Sequence, residues 1–296
     1  PPPPPPPPPP PFFLQPDDGN RDSVASRGLG DVYKRQKLVD LGALSVDISD
    51  WIGEYAEKGN LTTLVVGVSG GVDSAVTSTL CANTGLRTMV LNMPIHQDER
   101  QIELSRKHIG WLESKWDNVE GHQVDLTQTF DHFCYKDMKG QEISDLALAN
   151  TRARLRLTAL YAIAGSNNGI VVGTGNKIED FGVGFFTKYG DGGVDISPIA
   201  DLYKSEVYAL AESLGVISEI RESAPTDGLW ADGRTDEEQI GASYEELEWA
   251  MREVESPPGE SFSSRQNEVL KVYQDLNGQN EHKMKEIPVY KRQQQG

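Results

Sequence analysis

Cysteine is scarce in this chain: Cys81 and Cys134 are the only two, with no CxxC pair and no framework of the kind that staples a secreted scaffold. The expected compartment is therefore a reducing one, the cytoplasm, and the expected role of both thiols is packing. Long apolar runs are missing too. The most apolar short stretch, Leu61 to Val68, is far below the roughly 18 residues that a membrane-spanning helix needs. Positive charge is in deficit, with 28 Lys and Arg against 45 Asp and Glu and a net charge of -17. A protein that binds nucleic acid over a broad surface needs the opposite balance to displace counterions. An anionic small molecule would instead have to be met by a few local basic residues.

What is present reads as a soluble globular chain of 296 residues, with 37% apolar and 25% charged residues. Residues 1–36 open on eleven prolines and continue without apolar periodicity. They read as a non-native or disordered proline-rich head and are set apart from the fold. Residues 37–290 read as one domain and 291–296 as a tail. From Leu38 a helical period appears, with Leu38, Leu41, Leu44, Ile48, Trp51, Ile52 and Tyr55 on one face, ending at Gly59-Asn60. Leu61 to Val68 reads as a strand buried on both faces. Strand and helix then alternate: strand 87–92, helix 98–112, strand 120–124, helix 126–133, helix 143–164, strand 169–173 and helix 204–214. Such alternation predicts an α/β fold with a doubly wound parallel sheet flanked by helices, and ligands at the carboxyl ends of the strands. The acidic stretch Asp232 to Glu255 reads as a solvated helix face.

Gly67-Val68-Ser69-Gly70-Gly71-Val72-Asp73-Ser74 directly follows the first buried strand and opens a helix. Helix-terminal amides converge there on an anion, two glycines admit close backbone approach, Ser69 and Ser74 add hydroxyls, and Asp73 offers a carboxylate for a magnesium ion. The lysine of a Walker A loop is absent. SGGVDS resembles the pyrophosphate loop of the ATP pyrophosphatases, which split ATP into AMP and pyrophosphate while adenylating a substrate.

Three further motifs narrow the resemblance. Asn150-Thr151-Arg152-Ala153-Arg154-Leu155-Arg156 carries arginine forks suited to phosphate or carboxylate. Val171 to Asp180 is a strand end and turn carrying Thr174 and Glu179. Gly184-Phe185-Phe186-Thr187-Lys188-Tyr189-Gly190-Asp191-Gly192-Gly193-Val194-Asp195 is a glycine-dense loop bearing aromatics, a lysine and aspartates, a composition that suits binding better than packing. With Pro225 to Trp230, Arg234 to Glu237 and Glu281-His282-Lys283, these motifs resemble the NAD synthetase family in order, from about Leu38 to about Val289. Val72 departs from a glutamine common in the family loop, and Met284 from a common arginine.

The resemblance implies ATP-dependent amidation of deamido-NAD by ammonia, giving NAD, AMP and pyrophosphate through an acyl-adenylate. It implies ATP contacts at Gly67, Val68, Ser69, Gly70, Gly71, Val72, Asp73, Ser74, Thr174, Lys204 and Thr226, and magnesium at Asp73 and Glu179. Substrate contacts fall at Arg154, Lys188, Asp195, His282 and Lys283, with Asp73 and Lys188 in catalytic roles. A homodimer is implied, with no nucleic-acid or membrane partner. Glutamine-using relatives carry an extra amidase domain with a catalytic cysteine, so free ammonia or a separate donor is expected here. Two rivals remain: another SGGVDS-loop enzyme that modifies tRNA, and a non-catalytic module that senses ATP.

Overall fold

The computed structural model describes residues 40–223, 235–255 and 261–292. Thr226 and Arg234, two of the positions singled out above, lie outside them. Helix α1 (Leu41–Lys58) starts at the Asp40 cap, whose carboxylate accepts from the Ala43 amide, and stops at Gly59. Then come β1 (Thr63–Gly67), α2 (Val72–Asn83), β2 (Arg87–Asn92), α3 (Glu99–Lys115, capped by Asp98), β3 (Val119–Gln123) and α4 (Thr127–Asp131). α4 widens into a π-helical turn, His132–Asp137, which runs on past residue 133, where the sequence pattern ends the helix. The long α5 (Asp145–Ser166) leads into β4 (Gly169–Val172), a second π-helical turn (Lys177–Val183), α6 (Lys204–Ser213) and α7 (Ser218–Arg221). Helices α8 (Asp236–Ile240), α9 (Tyr244–Glu255) and α10 (Ser264–Met284) follow.

All four strands are parallel, in the order β3-β2-β1-β4. The chain winds outward from β1 to β3 and then returns to the other side of β1, so the topological switch point lies between β1 and β4. Ligands of open α/β sheets bind outside the carboxyl ends of the strands at that point. Both sheet faces are covered, which explains the unbroken apolar run of β1. Leu64 and Val66 pack against α1, α2 and α6, through Ile52, Val76, Leu80 and Leu210. Val65, with Met89 and Leu91 of β2, packs against Leu160 and Ala164 of α5. A separate cluster joins Ile178 and Val183 of the second π turn to Leu247 and Met251 of α9 and to Val269 and Tyr273 of α10.

Two sequence expectations need correction. Trp51 and Tyr55 do not share the buried face of α1. They are 46% and 43% exposed and lie against each other, 6.2 Å between ring centroids, because Ser49, Ile52 and Ala56 form the seam against the sheet layer. The acidic stretch is not a uniformly solvated face either. Glu248 is 1% exposed and accepts from the Ser205 amide (2.9 Å) and hydroxyl (2.8 Å), so its carboxyl group caps the first turn of α6 from a buried position.

Candidate active site

The turn after β1 closes on itself through short-range hydrogen bonds, while Val68 ties it to Leu91 of β2 and to the Ser105 hydroxyl of α3. Gly70 sits at φ +95°, and a Cβ there would lie 2.7 Å from the Gln101 carbonyl oxygen, so the turn requires glycine. The Ser74 hydroxyl accepts from the Ser69 amide (3.2 Å) and donates to the Gly71 carbonyl (3.0 Å), while the Ser69 hydroxyl accepts from the Gly71 amide (3.2 Å). No side chain caps α2 at Gly71, so its first-turn amides form an anion-binding end facing the cleft.

Across the switch point, the turn after β4 brings Glu179 toward Asp73. One ammonium joins them: Lys204 Nζ lies 2.5 Å from Asp73 Oδ2 and 2.9 Å from Glu179 Oε1, and Lys204 is 3% exposed. Asn176 Nδ2 donates to Asp73 Oδ1 at 3.0 Å, and the Tyr244 hydroxyl donates to Glu179 Oε1 at 2.5 Å. Burial raises the Asp73 carboxyl, and the ammonium only partly offsets this. Glu179 feels the same burial but is held below its ordinary range by Lys204 and Tyr244. For Lys204 burial acts downward, and the two carboxylates outweigh it, so the ammonium is held charged. Asp180, next on the turn, is raised well above the usual carboxylate range by burial, then by Asp191, Glu179 and Asp73.

Asp73, Glu179, Asp180, Asp191 and Lys204 line a cavity of about 580 Å³. Of the residues expected from sequence, its wall includes all of Gly67 to Ser74, Thr174, Glu179, Lys204 and Lys283. The Lys283 ammonium donates to the carbonyls of Gly184 (2.9 Å) and Phe186 (3.0 Å), and burial lowers its pKa. Arg154, Lys188, Asp195 and His282 are not on this wall. Arg154 is on the exposed side of α5 and donates from Nε and Nη2 to the Lys188 carbonyl, both at 3.3 Å. Lys188 Nζ donates to the His282 carbonyl at 2.6 Å. Asp195 accepts from the Val171 amide (2.7 Å) and the Tyr161 hydroxyl (2.9 Å). The His282 Nδ1 atom lies 3.2 Å from the Gln279 carbonyl.

Sequence reasoning missed Asn176, Tyr244 and Asp180 at this site, and from the arginine block it singled out Arg154 where the cavity is lined by Arg156. Asn176 had a signal, since a polar residue before a helical turn reads as a cap, and its side chain accepts from the amides of Ile178 and Glu179. Tyr244 had none, because 65 residues separate it from Glu179. Among the described residues, no group of three or more His, Cys, Asp or Glu side chains is arranged to hold a metal ion. None of their helices is long and apolar enough to cross a membrane.

Comparison with known proteins follows the same geography. A family model described as NAD synthase matches residues 44–287. The chain is 38% identical over 209 residues to an NH(3)-dependent NAD(+) synthetase of Finegoldia magna, covering 69% of this chain and 82% of that protein. It is 33% identical to the protein of the same description in Methanosarcina acetivorans, covering 82% and 95%. A solved NMN synthetase from Francisella tularensis superposes with a TM-score of 0.75 at 29% identity, over 85% of this chain and 98% of that one.

Proposed function

The chain belongs to the NAD synthase family, and from that premise we propose that it is a ligase that amidates deamido-NAD with ammonia at the expense of ATP, yielding NAD, AMP and pyrophosphate. The observation that carries the reading is the meeting of the Gly67–Ser74 loop with Glu179 and Lys204 in one cleft at the switch point. A carboxylate is a poor electrophile. Attack of a nicotinate carboxylate oxygen on the α-phosphorus of ATP forms a C–O–P linkage and breaks the bond to the pyrophosphate oxygen. Ammonia then attacks the acyl carbon, a proton leaves nitrogen, and AMP departs with the bridging oxygen. No protein nucleophile enters either step.

The residues of the chain act by position and charge. First-turn amides of α2, the hydroxyls of Ser69 and Ser74, and Lys204 would hold the phosphates, with Thr174 beside them, and bring the two anions into contact against their repulsion. Asp73 and Glu179 fit a divalent cation, because the Lys204 ammonium already bonds to both. Two carboxylates completed by phosphate oxygens and water suit magnesium. When bound, magnesium would neutralise the charge developing on the α-phosphate and pyrophosphate.

Arg154, Lys188, Asp195 and His282 would receive the dinucleotide beyond the cavity wall, along the outer side of α5, with Lys283 at the boundary. That side exposes Tyr161, and a second copy of the chain seated on it would make the homodimer. Light scattering tests the assembly. Two buried thiols fit a cytoplasmic setting.

The deciding experiment supplies purified protein with ATP, magnesium, deamido-NAD and ammonium and omits each in turn. Equal amounts of AMP and NAD, lost with every omission, are expected. ATP bound without AMP formation would sink the reading. The likeness to an NMN synthetase favours one second reading, amidation of nicotinate mononucleotide by the same steps. Higher kcat/KM for the mononucleotide than for deamido-NAD would establish it.

A further inference from the structure

Among the charged residues that line the cleft, acids outnumber bases. Asp73, Glu179, Asp180, Asp191 and Asp236 all line it, yet the reaction proposed above brings polyanions into it. Lys204 is already neutralised by two carboxylates. Arg156, one turn of α5 before Leu160, also lines the cavity. Spacing explains why: Ala149, Ala153, Arg156, Leu157 and Leu160 recur at threes and fours on the inner face, which turns Arg154 to the outside. The Arg156 guanidinium is fixed by two bonds. Nε donates to the Met93 carbonyl at 2.9 Å and Nη2 to the Gln97 side-chain oxygen at 3.1 Å, and Gln97 is itself tied to Gln101 at 2.9 Å.

Both acceptors are neutral. Among the described residues Arg156 makes no ion pair, and three of its five N–H donors are left for something else. Burial, and then the neighbouring Arg152 charge, lower its pKa to about 10, and Asp191 opposes this only weakly. A partly buried cation without a counter-charge destabilises the folded state, so its presence needs a compensating gain. A guanidinium held rigid on a cavity wall with an open fork is suited to bind phosphate in two bonds.

We propose that Arg156 is a phosphate-binding residue of this cleft, the fixed positive charge that meets a phosphate group of an incoming nucleotide. The inference rests on the nucleotide-ligase reading. The phosphate has two sources, ATP and the dinucleotide, which are separated by titrating each alone into the protein.

Calorimetry with magnesium-ATP and, separately, deamido-NAD is run on wild type, Arg156→Met and Arg156→Lys, together with thermal melts without ligand. Arg156→Met is expected to bind one of the two at least tenfold more weakly, and to melt no lower than wild type because an uncompensated charge has gone. Arg156→Lys, which keeps the charge and loses the fork, is expected to weaken the same ligand about threefold or more. Loss confined to ATP assigns the contact to ATP; loss confined to deamido-NAD assigns it to the dinucleotide. If both affinities stay within twofold while the unliganded melt falls by several degrees, Arg156 only braces Met93 and Gln97, and the proposal is overturned. Should Arg156→Met fail to fold, unchanged affinities in Arg156→Lys overturn it alone. Binding is read without turnover, so a wild type that binds both ligands but makes no AMP refutes the reaction and leaves this assignment standing.

Discussion

Two loops face the same cleft and are held in opposite ways. The turn Ser69 to Ser74 is closed by hydrogen bonds spanning two to five residues and by one glycine turn, while Val68 and Asp73 tether it to Ser105, Asn176 and Lys204. The loop from Gly182 to Lys188 is held from far along the chain: α10 clasps it through Asn277 to the Gly182 carbonyl, Asn280 to Val183, and Lys283 to Gly184 and Phe186, while Lys188 reaches back to His282. The first closure is a property of a short segment that is tethered at Val68 and Asp73, and the second is a property of a tertiary contact. A local loop can persist while its surroundings loosen, but a clasped one follows its clasp.

The sharpest way to break this contrast is to remove what joins the two sides. Lys204→Met leaves Asp73 and Glu179 buried without a counter-cation and should lower stability by about 3–5 kcal/mol. Magnesium should restore part of that loss in a urea melt; a melt like wild type would show that the ammonium is dispensable.

Behind the local loop, His108 of α3 is fully buried, bonds to the Ser78 hydroxyl of α2 at 2.9 Å, and is lowered by burial from 6.5 to about 4. Between those values the unfolded chain binds a proton that the folded chain refuses, so stability rises with pH across the window and falls on acidification, by about 3 kcal/mol in all. Urea melts at pH 4.5 and 7.5 should show a steep difference that His108→Gln largely removes. Equal slopes in both proteins would contradict the assignment.

Gly70→Ala strains the local loop directly. A loss of roughly 1–3 kcal/mol is expected, since the Cβ meets the Gln101 carbonyl and φ is positive. ATP should bind at least tenfold more weakly by calorimetry, with the distant loop untouched. The smallest effect belongs to Lys283→Met, which removes two bonds to carbonyls and should lower stability by about 1 kcal/mol. Hydrogen exchange should quicken at Phe185 to Thr187 and stay unchanged at Ser69 to Ser74; acceleration in both loops would erase the distinction.

That distinction also decides which features are legible in the amino-acid sequence. Strand Arg87–Asn92 falls where its apolar run and flanking glycine place it, and the turn of the phosphate loop is legible because the bonds that close it lie within a few residues. The way α1 rolls against the sheet layer is not in its periodicity, so Trp51 and Tyr55 read as inward-facing and in fact face solvent. Arg154 and Arg156, two residues apart, sit about 200° apart around a helix, so spacing says that they face different ways but not which one faces the cleft. Tyr244 and Glu248 reach the site or its supporting helix only because α9 folds back, which no local pattern announces.

The clasp has a consequence in time. A ribosome makes Lys188 94 residues before His282, to whose carbonyl its ammonium donates. At typical elongation rates the interval is roughly 5 to 20 seconds, during which the phosphate loop and its sheet have already emerged. The nascent chain can thus acquire its nucleotide pocket early, while the loop that closes the other side must wait for the last helix to be synthesised.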